Sequence, residues 1–314
     1  MNSRHLSILL ILVLFCYIFS QSQIPVSNYP ELKGPYLGQK PPGLTPQIFA
    51  PGIISTDELE GCSGWGNEME FFIFQRRNSG GSKLYIMDQK DGLWKPPRII
   101  ESLQKYQAGD FTIAPDGKTL VFASKIFLEE IGPQGEGGNI WQTEKTDDGW
   151  TEPKPVSGPI NTKYHDSYPS LSANKNLYFF SRKPGGFGDS DMYISEYKDG
   201  RYQQPVNLGS RLNTKYHEWD TYISPDENYM IYCSTMPEGL GRDDLYVTYK
   251  QSDGTWSSPV HMGNKINSKE SENRPYVSPD GRYLFYVSTI TGKRDIYWID
   301  ADIIKKLKPA ELKG

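Results

Sequence analysis

Hydrophobic residues along this chain recur in short runs that are separated by turn-forming Gly, Pro and Asp residues. The runs TLVFAS, LYFFSR, YMIYCS and YLFYVS are four such segments, and EFFIFQ is a fifth. Turns of the type APDG, SPDE or SPDG precede several of them. Proline at the second turn position fixes φ, and the Asp or Gly behind it tolerates the reversal of the chain. The pattern predicts antiparallel strands joined by tight turns, without long helical periodicity.

These strands belong to a repeat with a period of about fifty residues, within the range of propeller blades. Five units can be aligned, and they begin at Ser55, Leu103, Asn161, Asn213 and Asn267. Each unit has a leading segment such as NTKYHD, a short strand, a turn, the apolar strand, a loop and a third strand such as DLYVTY. An outer strand is then predicted to open with an aromatic residue: Trp94, Trp150, Tyr202 or Trp256. Four strands in each unit are typical of one blade of a β-propeller.

The fifth unit lacks an outer strand of its own, and the start of the chain can supply it. Residues 44–56, LTPQIFAPGIIST, align with Trp256–Ser268 of the fourth unit. Pairing of the two ends within one blade would close the ring and remove an unpaired strand edge. We therefore predict an all-β, five-bladed β-propeller closed by an N-terminal strand. A six-bladed ring is the alternative, although residues 24–42 are short and rich in Pro and Gly.

A leader precedes the predicted ring. Arg4 and His5 stand ahead of an apolar run from Leu6 to Phe19, which is followed by small polar residues. This is the pattern of a secretory signal peptide, and the run is shorter than the ~20 apolar residues of a membrane span. We predict a signal peptide over residues 1–22, an N-terminal extension over 23–43, one propeller domain over 44–307 and a tail over 308–314. The mature protein would be periplasmic or extracellular and not an integral membrane protein.

Charge and cysteine content indicate which binding partners and covalent cross-links are expected. The formal net charge is −4, and no run of Lys or Arg stands out, which disfavours nucleic-acid binding. Cys62 and Cys233 are the cysteines beyond the leader, and they fall in blades that are not neighbours, so we expect no disulfide. We expect a monomer.

The SPDG turns, the apolar strands behind them and the later D-x-Y strands resemble the TolB-type, WD-like propeller repeats of bacterial exported proteins. The resemblance implies a propeller, with a six-bladed TolB-like ring as the alternative. It also implies a protein or glycan of the cell envelope as the partner. The resemblance identifies the fold but says little about activity, because proteins with such folds include binding proteins, scaffolds and enzymes.

Two columns of the repeat contain candidate ligand-binding residues. The first lies at the start of the innermost strand and reads Glu60, Ala108, Asp166, Glu218 and Glu272. Four carboxylates at one mouth of the channel could bind a cation or a polar ligand, or act as catalytic acids. Alternatively, each belongs to a repeated joint in which it accepts backbone hydrogen bonds or pairs with a basic residue.

The second column, two positions on, varies in chemistry as a single site on a repeated scaffold would. It reads Cys62, Asp110, Tyr168, Asp220 and Arg274. If it faces the channel, Asp110, Asp220 and Arg274 could orient a polar ligand beside Trp219 and Tyr168, an arrangement that suits carbohydrate. The alternative is that this column packs between the sheets.

Other motifs indicate structure rather than chemistry. The third-strand column reads Lys83, Asn139, Asp191, Asp244 and Asp295, and its Asp residues are expected to hold a loop. His165 and His217 are interpreted as surface residues of the repeat rather than metal ligands. Neither G-x-S-x-G nor H-E-x-x-H occurs. No cofactor is predicted; a divalent cation at the carboxylate ring is possible but has no motif.

The sequence favours an exported, non-catalytic propeller that binds a protein or glycan of the cell envelope. The alternative is a five-bladed glycoside hydrolase or lyase that uses channel carboxylates as acid and base.

Overall fold

A computed structural model describes residues 29–126, 128–129 and 138–312, so the predicted signal peptide lies outside the described residues. The chain divides into Met1–Glu31 and a second unit, Leu32–Gly314, which contains all of the strands below. Within the described ranges, no helix is long and apolar enough to cross a membrane.

The second unit consists of five antiparallel sheets, numbered here as blades 1 to 5 in the order of their innermost strands. The innermost strands are Leu59–Trp65, Gly109–Ile113, Asp166–Leu171, Glu218–Ile223 and Glu272–Val277. The second strands are Phe71–Asn78, Thr119–Ser124, Leu177–Ser181, Tyr229–Ser234 and Tyr283–Ser288. The third strands are Gly81–Lys90, Asn139–Thr146, Asp191–Ser195, Asp244–Tyr249 and Asp295–Asp300. The outermost strands are Arg98–Ile99, Lys154–Pro155, Val206–Asn207, Val260–His261 and, for blade 5, Gln47–Ile48.

The five sheets form a ring. The innermost strand of each blade packs against that of the next, and that of blade 5 packs against that of blade 1. The innermost strands of blades 1, 3, 4 and 5 are buried along almost their whole length, and clusters of buried apolar residues from neighbouring blades form the core between the sheets. The prediction of an all-β, five-bladed propeller is confirmed.

Short elements decorate the ring. The aromatic residue predicted to open the outer strand instead lies a few residues earlier, in a two-residue strand or bridge that prolongs the third strand. These extra strands are Leu93–Trp94, Gly149–Trp150, Tyr197–Lys198 and Arg201–Tyr202, and Leu32–Lys33 pairs with the first of them. The helices are Glu101–Gln104 and Asp302–Leu307, and the 3-10 turns are Pro35–Gly38, Asn67–Met69 and Ala310–Leu312.

The ring closes through blade 5 as predicted. Gln47 and Ile48 pair with Trp298 and Tyr297 of the third strand. The next residue, Phe49, is fully buried, so the closing strand is anchored by side-chain packing as well as by backbone hydrogen bonds.

A second N-terminal contact reinforces this closure. Tyr36 is buried, and its ring lies edge-on to Trp65 of blade 1 and Tyr283 of blade 5. Its hydroxyl donates to Asp280 at 2.7 Å. Tyr36 has a φ of 52° and the adjacent Leu37 a φ of 59°, conformations that cost energy for residues other than Gly and need such packing to hold them.

The recurring Asn of the leading segments connects neighbouring blades. Asn213 accepts the backbone N–H of Met192 through Oδ1 at 2.8 Å and donates through Nδ2 to the carbonyl of the same residue at 3.0 Å. Asn161 and Asn267 make the same pair of hydrogen bonds on the preceding blades. The side-chain amide thus imitates a strand neighbour, which explains why the repeat places Asn there.

Candidate ligand-binding site at the channel mouth

The first carboxylate column builds joints in blades 3, 4 and 5. Glu218 accepts the backbone N–H of Thr214 at 2.8 Å, the Thr214 hydroxyl at 2.6 Å and the Ser234 hydroxyl at 3.1 Å. Asp166 and Glu272 have equivalent donors four residues earlier and on the second strand. All three are fully buried and line neither cavity described below. The structure therefore does not bring them into the candidate site.

Blades 1 and 2 depart from this joint. Glu60 accepts hydrogen bonds from Thr56, as expected, but its second-strand partner is Arg76 at 3.2 Å instead of a serine. Burial raises the pKa of Glu60 to about 7, against the opposing effect of these donors. Blade 2 has Ala108 in place of the carboxylate, and the Ser124 hydroxyl there donates to a backbone carbonyl. Glu60 lines the larger cavity, unlike its three counterparts.

The second column lies where each innermost strand is interrupted by a bulge. Its residues in blades 2 to 5 adopt left-handed conformations, with φ of 41° at Asp110, 49° at Tyr168, 52° at Asp220 and 55° at Arg274. Bulges re-aim side chains, and a positive φ outside Gly stores strain of about 1–3 kcal/mol. Asp110, Tyr168, Asp220 and Arg274 line cavities on the channel. Cys62, the member of the column in blade 1, belongs to the apolar core between blades 1 and 2, and Tyr168 also packs against that core.

Arg274 connects these side chains across the channel. Its Nη2 donates to the Tyr168 hydroxyl at 2.7 Å and lies 3.7 Å from Oδ1 of Asp110. Its backbone N–H donates to Oδ2 of Asp220 at 3.0 Å. Asp110 also accepts the Ser167 hydroxyl at 3.2 Å. One arginine of blade 5 thus contacts residues of blades 2, 3 and 4.

Two cavities adjoin this layer. The larger, about 690 Å³, opens at the mouth where the innermost strands begin and is lined mainly by blades 1, 2 and 3. The smaller, about 20 Å³, is lined by Cys62 and Asp220 among others and has room for a single water molecule. Tyr168 and Arg274 line both, so this pair forms the floor of the larger cavity. Trp219 lines neither; its indole N–H points to the sulfur of Cys233 at 2.9 Å.

Burial shifts the pKa values of the ionisable groups below the floor of the larger cavity. It raises the pKa of Asp220 to about 7, while the Arg274 guanidinium opposes and Asp110 reinforces the shift. Burial likewise raises the pKa of the Cys62 thiol to about 12. Cys62 and Cys233 are both buried and free.

The larger cavity is rich in positive charge, although the whole chain has a net charge of −4. Of the described residues, two carboxylates line it, Glu60 and Asp110. Five basic side chains of the described part of the chain also line it: Arg77, Lys83, Lys125, Arg274 and Arg294. Of these, the sequence reasoning selected only Arg274 for the site.

The missed residues have a sequence signal, because they break the repeat. The strand register aligns Gln75 with Ala123, Phe180, Cys233 and Val287, and Lys83 with Asn139, Asp191, Asp244 and Asp295. By the same register, Arg294 corresponds to Ser82, Gly138, Ser190 and Asp243. Residues that leave the common pattern therefore gather around the larger cavity.

Two glycines make room for Gln75. A Cβ at Gly61 would lie 2.2 Å from Oε1 of Gln75, and one at Gly109 would lie 2.8 Å from Nε2. The amide thus lies against the bare backbone of two adjacent blades at the wall of the cavity.

The remaining candidates have ordinary structural contacts. His165 lines the larger cavity, packs edge-on to Phe180 and has a pKa lowered by burial. Nδ1 of His217 lies 3.3 Å from Oδ2 of Asp189. Asp191 accepts two backbone N–H groups of the preceding loop, the role predicted for that column. Across the described ranges, no three His, Cys, Asp or Glu residues are grouped to hold a metal ion.

Comparisons with known proteins agree on the fold. No family model matches the chain. An uncharacterized protein of Agrobacterium fabrum is 25% identical over 213 residues, which are 67% of this chain; the chain spans 58% of that relative's length.

Solved structures similar to this one include a TolB protein from Agrobacterium tumefaciens, as the resemblance in the repeats predicted. It is 16% identical with a TM-score of 0.48, over 74% of this chain and 71% of the other. The catalytic domain of an α-L-arabinofuranosidase from Coprinopsis cinerea is 12% identical with a TM-score of 0.50, over 82% and 97%. These similarities concern the fold alone, a β-propeller, and the activity has to be argued from the site.

Proposed function

We propose that this chain is an exported, non-catalytic binding module of the cell envelope that binds a glycan in the cavity at the channel mouth. Its export is inferred from the signal-like leader in the sequence. The cavity falls within the ~300–1,000 Å³ typical of ligand pockets. Hydrogen-bonding side chains such as Gln75, Asp110 and Tyr168 line it and suit sugar hydroxyls.

The number of available carboxylates supports binding over hydrolysis. Glycosidases place two carboxyl groups about 5–9.5 Å apart on either side of the scissile bond. Of the two acids that line the cavity within the described ranges, Glu60 is fully buried and held by Thr56 and Arg76. Asp220 lies beneath the floor. Among the described residues of the cavity this leaves Asp110, whose side chain is 27% exposed, as the one carboxylate available to a ligand.

The test is calorimetry of the mature protein against envelope oligosaccharides, with one variant that fills the cavity. Ser82→Trp places a large ring at the exposed rim of the cavity. Asp148→Trp is the matched control, since Asp148 is exposed in the turn beyond the far end of a third strand.

We expect Ser82→Trp to abolish sugar binding and Asp148→Trp to leave it unchanged. Equal binding by both variants would place the ligand elsewhere. Release of reducing ends during the incubation would show that the protein is a hydrolase and overturn the non-catalytic proposal.

A protein partner is the second candidate, favoured by apolar residues around the same mouth. Phe187 and Leu240 occupy equivalent positions in the loops of blades 3 and 4 and are 50% and 51% exposed. Ile290, in the corresponding loop of blade 5, is 54% exposed. Exposed apolar groups on one face are typical of docking surfaces. Binding of this kind would be lost in a Phe187→Ser, Leu240→Ser double variant and retained in Ser82→Trp.

A further inference from the structure

We propose that the glycan is acidic, and that the cavity holds the carboxylate of a uronate unit between Arg294 and Arg77, above the floor made by Arg274. This inference rests on the proposed function and adds the class of ligand. It follows from the charge, burial and hydrogen bonding of the cavity walls.

Among the described residues, the acids do not neutralise the positive charge of the cavity. Among the described residues, the guanidinium groups of Arg77 and Arg294 and the ammonium groups of Lys83 and Lys125 make no hydrogen bond or ion pair. Glu60, which lines the cavity from blade 1, is already paired with Arg76. An anion entering the cavity would therefore meet several cations that lack a partner.

The arginines are close enough to repel one another. The pKa of Arg294 is lowered, first by the guanidinium of Arg274 and then by burial, and Arg77 adds to the effect. The side chain of Arg274 is only 10% exposed, and its Nε has no hydrogen-bond partner among the described residues. A carboxylate bound here would relieve the repulsion, since a planar carboxylate accepts two hydrogen bonds from one guanidinium.

The floor of the cavity favours a singly charged group attached to a sugar. Asp110 lies 3.7 Å from Arg274 and is partly exposed, so its negative charge disfavours a phosphate dianion nearby. The same carboxylate can accept a sugar hydroxyl, and the Gln75 amide offers both donors and an acceptor. Tyr168 adds an aromatic face and a phenol at the floor.

The repeat supplies a variant that should fold. Arg294 corresponds to Ser82 in blade 1 and Ser190 in blade 3, so the joint accepts serine at this position. Arg294→Ser therefore removes a cavity cation with little risk to the blade. Arg242→Ser is the matched control, because Arg242 is exposed on the same face in blade 4 and does not line the cavity.

The experiment titrates the mature protein with trigalacturonate and with its fully methyl-esterified form, which keeps the sugar chain and removes the charge. We expect the wild type to bind the acid about tenfold or more tightly than the ester, as the loss of a charge-assisted contact implies. Arg294→Ser should lose that preference and Arg242→Ser should keep it. Arg77→Gln, at an exposed position, provides a second variant with the same expected loss.

Each remaining outcome decides between the two proposals. Equal affinity of the wild type for acid and ester would overturn the acidic ligand and leave a neutral glycan site. If the protein bound neither the acid nor the ester, and no other oligosaccharide in the panel, the glycan site itself would be overturned. Competition by inorganic phosphate or by a tri-glutamate peptide at equal strength would show a general anion site and refute the sugar component.

Discussion

Replacing Glu218 with alanine should destabilise the propeller more than removal of an ordinary buried side chain. The carboxylate accepts three hydrogen bonds, two from Thr214 and one from Ser234, in a fully buried site. Alanine would leave these three donors without an acceptor at the junction between blades 3 and 4, where the Glu218 N–H also bonds to the carbonyl of Ser190 at 3.2 Å.

The size of the effect follows from the number of donors. An unsatisfied buried donor costs about 1–3 kcal/mol, so three would cost about 3–9 kcal/mol if water could not reach them. Water entering the vacated volume would reduce this, and we expect a loss of about 3–5 kcal/mol in the free energy of unfolding. Glu218→Gln keeps an acceptor for the Thr214 N–H, and the hydroxyls can rotate to accept from the new amide, so about 1–2 kcal/mol is expected.

Urea denaturation followed by tryptophan fluorescence measures both values. At about pH 8 the carboxyl of Glu218 is ionised in the unfolded chain, where it is exposed to water. Glu238→Ala, at an exposed position of the same blade, is the control and should change the free energy by less than about 0.5 kcal/mol. If Glu218→Ala were as stable as this control, the carboxylate column would not hold the blades together. The ligand-binding interpretation of that column would then regain support.

Three further changes test other parts of the structure. Phe49→Ala, in the closing strand, should lower the free energy of unfolding by about 3–5 kcal/mol in urea, whereas Val206→Ala, 63% exposed, should have almost no effect. Because burial raises the pKa of Asp220 to about 7, the native carboxyl keeps a proton that the unfolded one releases near pH 4. Stability from this group is present below about pH 4 and is lost as the pH rises through about 7; a stability profile of Asp220→Asn parallel to that of the wild type would contradict this. Tyr36→Phe removes the hydroxyl bonded to Asp280 and should lower the thermal midpoint by a few degrees, equivalent to about 1 kcal/mol; an unchanged midpoint would mean that this contact adds nothing to closure.

The architecture could be predicted because the same local solution is used in every blade. The leading Asn, the Thr or Ser behind it and the following acid make the same hydrogen bonds at each joint of blades 3 to 5, so they recur in the sequence. The closing strand was predictable for the same reason, since residues 44–56 repeat the pattern of an outer strand.

The position of Tyr36 was not predictable, because it occurs once. Its segment is left-handed at two successive residues, and nothing in the repeat indicates that a Pro- and Gly-rich stretch folds back between blades 5 and 1. The outer strands were predicted a few residues too early because an aromatic residue recurs after the turn in each unit. Trp94 and Tyr202 are buried, but they lie in short strands that precede the strand completing the blade.

The site was partly predictable for the opposite reason. A repeated residue marks the scaffold, and a residue that breaks the repeat marks what is local to one place on it. The variable column therefore indicates Asp110 and Arg274, while Arg294 and Gln75 lie in two other columns of the repeat. Which face of the strand the column occupies depends on the bulge, and alternation alone does not reveal a bulge.

The bulges also place residues in a left-handed backbone conformation that the fold alone does not need. A position with φ near +50° is most easily occupied by Gly, or by Asn or Asp at small cost. Blades 2 and 4 place Asp110 and Asp220 there, whereas blades 3 and 5 place Tyr168 and Arg274, for which this backbone conformation is strained. Each of them faces the channel, and Arg274 joins them across it. A left-handed position that recurs in four blades at the same depth of the channel, and that holds Asp, Tyr or Arg side chains, is what the binding floor proposed above requires.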